Sequence, residues 1–369
     1  MSKSQRLVGI DLCRGIAAYA VVVRHSGDLS WAPVGYGVLE FRAFFDFAVP
    51  FFLATSFYLA AQKLDRTGSL YSLGSRFKRL LVPYLFWSLI YICFKAAFFL
   101  FNNDTTSFHK LFSDPIGIVF LGASSVQLYF LPWLFVGTCW MMFSKKMLDR
   151  KFRIRIQAIF FLLSISVYQI LISSGNGFDL ASGSAFSRLS NVLHFDNKTS
   201  FLTRLILIIL AWVIRCIPYI FMAIILNRLL TDQNHYLKFP KHSHSILFLC
   251  LFLIVNSIGI SFIPTAFREI LIAFSLLLLS ISISNKLIKN KFFTDLSYRL
   301  GSCSFGIYLI HIIFIQFLEA ILAKFIPILT ENVTIASILI LSICSFLISW
   351  VIVEKLFLKS NVLRLTISN

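Results

Sequence analysis

GIDLCRGIAAYAVVVRHSG, residues 9–27, is a mostly apolar run, and among its ionisable side chains Arg14 and His25 are eleven residues apart. Ionisable groups inside a membrane-spanning segment are costly and usually mark a site or a pathway. Eleven residues at about 100° each return to nearly the same face of a helix, roughly 16 Å further along it. One face of the predicted first helix therefore carries a cation at one depth and a titratable imidazole at another.

The composition of the whole chain is that of a membrane protein. Of its 369 residues, 58% are hydrophobic and 14% are charged, and the mean hydropathy is +0.83. Apolar runs of about 20 residues recur, and each is long enough to span a bilayer as a helix. These runs do not alternate in the way that barrel strands do. We predict an all-α fold, a polytopic transmembrane helical bundle in which residues 1–369 form one membrane domain without a second, soluble domain.

Ten spans are predicted, with both termini cytoplasmic. The predicted inner segments contain 23 Lys and Arg residues and the outer segments contain six, which is the asymmetry of the positive-inside rule. The net charge of +18 therefore reflects topology and not nucleic-acid binding. The first segment is interpreted as a permanent span because it holds Asp11 and Arg14 and lacks an A-x-A cleavage site. The predicted spans are 7–27, 37–61, 79–101, 126–144, 154–173, 204–226, 245–263, 267–285, 299–323 and 333–356.

Two segments between the spans have distinct predictions. Residues 115–123 are apolar but too short to span, so an interfacial or re-entrant helix is expected. Residues 174–203 form the longest outer loop, which is either a lid or acceptor-binding loop or a mobile connector. The seven Cys include no CxxC, so neither a disulfide framework nor a cysteine-based metal site is expected, and we predict no metal.

A basic cluster precedes the third predicted span. Arg76, Lys78 and Arg79 lie at the inner end of this helix, and arginine side chains bind phosphates bidentately. The alternative is topogenic charge or contact with anionic lipid. For Arg14 the alternative to a functional role is a structural ion pair with Asp11 or another acidic residue. For His25 the alternative is an interfacial histidine that is simply in contact with water.

Other polar residues within or near the spans have two interpretations each. Glu40 lies at about the depth of His25 and could orient its imidazole. Arg42 and Asp46 are four residues apart and could satisfy each other. His311 is either a packing residue or a substrate contact. Arg215, like Lys95, is expected to snorkel to an interface.

These pieces together resemble the acyltransferase-3 family of integral membrane acyltransferases. The first span, the R-x-x-R motif from Arg76 to Arg79, and two later segments all match, and they occur in the order typical of that family. The matching segments are IDLCRGIAAYAVVVRH at 10–25, RFKR at 76–79 followed by LLVPYLFW, QLYFLPW at 127–133 and LGSCSFGIYLIH at 300–311.

The resemblance implies an enzyme that moves an acyl group, commonly acetyl, from cytoplasmic acyl-CoA to a hydroxyl of a glycan or lipid-linked sugar. It further implies a multi-pass protein of the bacterial cytoplasmic membrane. His25 would be the general base, with Arg14 and Glu40 as further catalytic candidates. The expected acyl-CoA contacts are Arg14, Arg76, Lys78 and Arg79. The expected acceptor contacts are Tyr129, Trp133 and His311, and for the two aromatic residues an interfacial belt is the alternative.

Several alternatives stay open at this point. His25 could be acylated first, in a covalent route. Ten spans with charges inside the membrane also fit a transporter or flippase of a glycan or lipid precursor, although no repeated halves are evident. The same fold could instead acylate an amine or a small molecule. Neither the acceptor nor the oligomeric state follows from the sequence.

Overall fold

The computed structural model describes residues 7–28, 33–69, 72–143, 153–180, 182–193, 201–231, 242–258, 262–327 and 331–367. These residues form α-helices joined by turns, with two π-helical turns at Gly117–Leu121 and Val353–Phe357. In chain order the helices are α1 (Val8–His25), α2 (Val38–Ala43), α3 (Ala48–Thr67), α4 (Leu73–Phe101), α5 (Thr105–Leu111), α6 (Phe130–Phe143), α7 (Ile154–Ser173), α8 (Ser187–Val192), α9 (Phe201–Thr231), α10 (His242–Ser257), α11 (Thr265–Leu287), α12 (Lys291–Phe325), α13 (Ile335–Ile352) and α14 (Asn361–Leu365).

Helix α1 lies at the centre of the bundle, packed against α12 and also against α3, α11 and α13. Small residues allow this close packing, as they do in membrane bundles generally. The amide of Gly9, which has no partner within its own helix, donates a hydrogen bond to Ser284 Oγ over 3.0 Å. A Cβ on Gly301 would lie 2.5 Å from the Cβ of Asp11, so α12 also approaches α1 closely at that point.

Each of the ten predicted spans contains a helix, which confirms the prediction of a polytopic helical bundle. Among the described residues, seven helical segments are long and apolar enough to cross a membrane. Helix α1 carries Asp11, Arg14 and Arg24 and is not among the seven, and α6 and α10 are shorter apolar helices. The number of ten spans and the side of the termini stay predictions, and residues 1–6, 368 and 369 lie outside the described part of the chain.

The structure differs from the predicted boundaries at two places that matter for function. The second span divides into α2 and α3, because Pro50 has no N–H to donate to the carbonyl of Asp46 and residues 44–47 form a turn instead. Helix α4 begins at Leu73, six residues before the predicted start, because the Ser72 side chain accepts a hydrogen bond from the Ser75 amide. Arg76 and Arg79 are therefore helical residues and do not belong to a loop.

The two ends of the bundle are named by their residues. The basic end contains the start of α1, the end of α3 and the start of α4 with Arg76 and Arg79. The His25 end contains the end of α1 and the start of α3. The apolar segment 115–123 lies between spans and contains the π-helical turn Gly117–Leu121.

Helix packing around Gly9 leads to a stability prediction. A Cβ at this position would lie 1.9 Å from the carbonyl oxygen of Ser280, which is backbone and cannot move aside cheaply. We expect Gly9→Ala to destabilise the protein by about 1–3 kcal/mol or more, measured as a lower midpoint of thermal unfolding in detergent. Gly74→Ala on α4 is the matched control, because its Cβ would meet nothing within 4 Å. Equal midpoints for the two variants would contradict this account.

Candidate functional site

His25 is held by a carboxylate three residues further along the chain. Helix α1 ends at His25, and Gly27 adopts φ +82°, a left-handed conformation that glycine enters without strain. The chain then folds back, so that His25 Nδ1 donates a hydrogen bond to Asp28 Oδ2 over 2.9 Å. Because a carboxylate only accepts, Nδ1 carries the proton and Nε2 keeps a lone pair. The His25 side chain, 18% exposed, is therefore oriented as a base.

Asp28 takes the position that was predicted for Glu40. The Arg42 guanidinium pairs with Asp28 and also donates to the carbonyl oxygen of Arg24, with Nη2 at 2.7 Å. Glu40 is exposed on α2, so its predicted role beside the imidazole is not supported by its position. The prediction that Arg42 and Asp46 satisfy each other is also wrong, because Asp46 accepts from Arg24 Nε at 2.8 Å.

Helix α12 also contacts His25 and the turn that follows it. The His25 and His311 rings have centroids 5.6 Å apart, and His311 is fully buried with Nδ1 donating to the carbonyl oxygen of Ile307. Glu319 accepts a hydrogen bond from the Gly27 amide over 3.2 Å. His311 thus packs against the ring of His25, and its contact with an acceptor stays a prediction.

His25 faces a cavity of 480 Å³, here called the His25 cavity. Its charged lining residues are balanced, with three arginines and three carboxylates. Two of these arginines are paired with carboxylates, Arg24 with Asp46 and Arg215 with Glu269. The charged residues are Arg24, Arg215, Arg268, Asp28, Asp46 and Glu269.

Arg215 and Glu269 form the centre of one wall of this cavity. Glu269 accepts from Arg215 Nη2 at 3.1 and 3.2 Å and from the hydroxyl groups of Tyr168 and Tyr219 at 2.8 and 3.3 Å. The expectation that Arg215 snorkels to an interface is wrong, because this guanidinium lies inside the bundle over the Trp133 ring, 4.5 Å from its centroid.

The predicted acceptor contacts Tyr129 and Trp133 lie beside Arg215. Their rings are stacked with centroids 6.1 Å apart, and Tyr129 lines the His25 cavity. Trp133 is 1% exposed and packs against Tyr129 and Arg215. Trp133 therefore helps to position Arg215, it also lines a second cavity, and its contact with an acceptor stays a prediction.

A second cavity of 350 Å³, the loop cavity, adjoins the first. The two share Tyr129, Arg215, Thr265 and Glu269 in their walls, and the loop cavity is also lined by outer-loop residues 175, 177 and 178. Residues 181 and 194–200 of the predicted loop 174–203 lie outside the described part of the chain. The contribution of this loop to an acceptor site or lid stays a prediction.

Arg204 ties the outer loop to the segment before the first π-helical turn. Its Nη1 and Nη2 donate to the two carboxylate oxygens of Asp114 at 2.9 and 2.8 Å, and its Nε donates to the carbonyl oxygen of Gly183 at 2.8 Å. The hydrogen bonds from Arg204 lower the pKa of Asp114, so this carboxylate stays charged at neutral pH.

The basic end contains a third cavity of 360 Å³, the arginine cavity. Four guanidinium groups line it, those of Arg14, Arg76, Arg79 and Arg364. No acidic side chain of the described residues lines it. Three of these four arginines are predicted acyl-CoA contacts, and Arg364 is the fourth. Lys78 is exposed and is not part of the lining, because it projects from a different face of α4 than Arg76 and Arg79.

Phe130 and Tyr308 separate the arginine cavity from the His25 cavity, since both residues line both cavities. Their ring centroids are 6.0 Å apart, and the Tyr308 hydroxyl donates a hydrogen bond to the carbonyl oxygen of Gln127. Both side chains are buried. The bundle therefore contains two cavities of different charge that lie on opposite sides of one pair of aromatic rings.

Sequence reasoning missed Asp28 and Glu269 for different reasons. Asp28 follows His25 by three residues with Gly27 between them, which is a readable signal for a return turn. Glu269 belongs to α11 and Arg215 to α9, and no local pattern brings two such distant residues together.

Comparison with known proteins agrees with the resemblance seen in the sequence. A family model described as an acyltransferase domain matches residues 7–354. One curated relative is the nodulation protein NolL of Sinorhizobium fredii (strain NBRC 101917 / NGR234), 31% identical over 123 residues. That match covers 31% of this chain and 32% of the relative, so the chain matches about a third of the relative's length. No solved structure matches the chain.

The Arg204 contacts lead to a prediction about the outer loop. Arg204→Ala removes the links to Asp114 and Gly183, so we expect faster amide hydrogen exchange in residues 176–186. Arg155→Ala, which removes an exposed arginine at the start of α7, is the control and should leave exchange in these residues unchanged. Because the pKa of Asp114 is lowered on folding, the stabilising effect of Arg204 is present above the ordinary aspartate pKa and is lost as the pH falls through the lowered value. Identical exchange in wild type and Arg204→Ala at neutral pH would contradict this role.

Proposed function

Because the chain belongs to the acyltransferase-3 family, we propose that it moves an acyl group, commonly acetyl, from cytoplasmic acyl-CoA to a hydroxyl of a glycan or lipid-linked sugar. The observation that carries the proposal is the pair of cavities on either side of Phe130 and Tyr308. One cavity has the charge that a polyanionic donor needs, and the other contains an oriented imidazole. The basic end faces the cytoplasm of a bacterial cell in this proposal, in agreement with the positive-inside rule.

The arginine cavity suits acyl-CoA in two respects. Its four guanidinium groups can donate charge-assisted hydrogen bonds to phosphates, and the described lining contains no acidic side chain that would repel them. Further inside, the lining changes to Phe52, Leu134 and Phe305 with the hydroxyl groups of Ser302 and Ser304. A thin, partly apolar arm fits such a lining. The arm reaches Phe130 and Tyr308, and these rings must move apart for the thioester to meet His25.

The chemistry follows from the state of His25. Nε2 removes the proton from the acceptor hydroxyl as its oxygen attacks the carbonyl carbon of the thioester. The Asp28 carboxylate on Nδ1 stabilises the imidazolium that forms. The C–S bond then breaks, and the leaving thiolate takes the proton from His25, so that an ester and CoA are released. Acylation of His25 before transfer is the second route, and a trapped acyl-imidazole would indicate it.

The acceptor is expected to enter from the His25 end. The lining of the His25 cavity has balanced charge, and Tyr129 and the Arg215–Glu269 pair connect it to the loop cavity. Such a site suits an uncharged hydroxyl-bearing molecule such as a sugar. An amine or small-molecule acceptor differs from this proposal in product linkage, which mass spectrometry reads directly.

The role of His25 can be tested in cells. We expect His25→Ala to reduce acylation of surface glycan by about 10²–10⁴-fold, because general-base catalysis contributes about that much. The measurement is mass spectrometry of glycans from cells that produce each variant at equal membrane level. His109→Ala is the control, since His109 is an exposed histidine on α5.

Asp28→Asn should lower the rate as well, because Asn can donate to Nδ1 and so favour the wrong tautomer. Wild-type acylation in His25→Ala would refute the base role, and transport of unmodified glycan into vesicles without label transfer from radiolabelled acetyl-CoA would indicate a flippase.

The donor site can be tested separately by binding. We expect the double variant Arg76→Ala and Arg79→Ala to bind CoA at least tenfold more weakly, since each charged hydrogen bond contributes about 1.5–3 kcal/mol. Calorimetric titration of purified protein in neutral-lipid nanodiscs gives the affinity. Lys78→Ala removes a cation from another face of α4 and should change it little. An unchanged affinity in the double variant would reject the phosphate contacts.

A further inference from the structure

Arg364 contributes to the arginine cavity although it lies beyond the segment that the family model matches. That match ends at residue 354, and Arg364 is a residue of the short helix α14. Its side chain nevertheless lines the same cavity as Arg14, Arg76 and Arg79. The question is what brings the end of the chain to this position.

A π-helical turn and an ion pair begin the return of the chain. After α13 the turn Val353–Phe357 closes with a hydrogen bond from the Leu358 amide to the carbonyl oxygen of Val353, at 2.9 Å. Arg299 of α12 holds this turn by donating to both carboxylate oxygens of Glu354, at 2.6 and 2.9 Å. π-Helical turns often occur at functional sites, where they redirect the chain.

Buried contacts then fix the segment after the turn against α4. The indole N–H of Trp87 donates to the carbonyl oxygen of Thr366 over 3.0 Å, in a buried position. Ile367 is 1% exposed, and the Trp87 and Phe357 rings lie with centroids 5.9 Å apart. The C-terminal segment is therefore docked on the helix that also carries Arg76 and Arg79.

Arg364 differs from the other basic residues near this segment in what its side chain can contact. Arg299 is neutralised by Glu354, and Lys355 and Lys359 are exposed and do not line the arginine cavity. Arg364 is exposed but lines the cavity, together with buried Arg76 and exposed Arg79. Its position thus combines access to solvent with proximity to the other arginines, which suits contact with the outer part of a polyanion.

We propose that Arg364 binds a phosphate of the acyl-CoA donor, and that the docked segment from Val353 to Ile367 completes the donor site. This inference rests on the proposed function. The ligand chemistry is a phosphate ester or diphosphate on a nucleotide. An anionic phospholipid headgroup offers the same chemistry, and the experiment must distinguish the two sources.

The test is calorimetric titration of CoA into purified full-length protein in nanodiscs of neutral lipid. We expect Arg364→Ala to weaken CoA binding about tenfold, because one charge-assisted contact is lost. Arg364→Lys should retain part of the affinity, since it keeps the charge but loses the planar fork. Lys359→Ala is the matched control in the same segment and should bind as wild type does. Arg364 is exposed, so Arg364→Ala should keep the thermal unfolding midpoint of the wild type.

The possible outcomes distinguish a failure of this inference from a failure of the proposed function on which it rests. If wild type does not bind CoA, the proposed function fails. If wild type binds CoA and Arg76→Ala with Arg79→Ala weakens binding, but Arg364→Ala does not, then only the role of Arg364 is overturned. Normal CoA binding in Arg364→Ala, together with loss of anionic phospholipid that co-purifies with wild type, would make Arg364 a lipid contact and would also overturn the proposal.

Discussion

The charges of α1 constrain the rest of the structure. Asp11, Arg14, Arg24 and His25 lie on one helix whose other residues are mostly apolar. Such charges are costly against lipid, so this helix is stable only inside the bundle. Its glycine and alanine residues then allow α3, α11 and α12 to approach it closely. The same helix therefore delivers Arg14 to one cavity and ends with His25 at the other.

The aromatic pair between the cavities follows from this arrangement. Phe130 begins α6, and Tyr308 lies in α12, the helix that packs most extensively along α1. The Tyr308 hydroxyl is bound to the backbone of Gln127, immediately before α6, so the ring is held by the chain segment that it faces. The closed pair of rings separates the arginine cavity from the His25 cavity. The proposed transfer requires only that a narrow arm passes between the rings.

Much of the fold and the main elements of the site could be predicted from the sequence, because they depend on patterns within single segments. Hydropathy predicts the helical bundle, and the spacing of Arg14 and His25 predicts their separation along one helix. The errors arose where distant segments meet. Glu40 is near His25 in depth, but depth does not specify which face of α2 turns inward, and Asp28 reaches the imidazole through the Gly27 turn. Arg215 and Glu269 pair across two helices, and Arg364 returns to the arginine cavity only through contacts with Trp87 and Arg299.

The two ends of the bundle differ in how their charges are compensated, and this difference gives the proposed reaction its direction. At the His25 end the arginines lie among an equal number of carboxylates, so little net charge is available to attract an ion. At the basic end four arginines line a cavity whose described lining includes no carboxylate, so in the proposed reaction a polyanion would be attracted to that end. In the proposed reaction a donor with phosphates is therefore stabilised at the basic end and disfavoured at the other. The acyl group would then reach His25 as the uncharged end of a molecule whose charged end stays among the arginines.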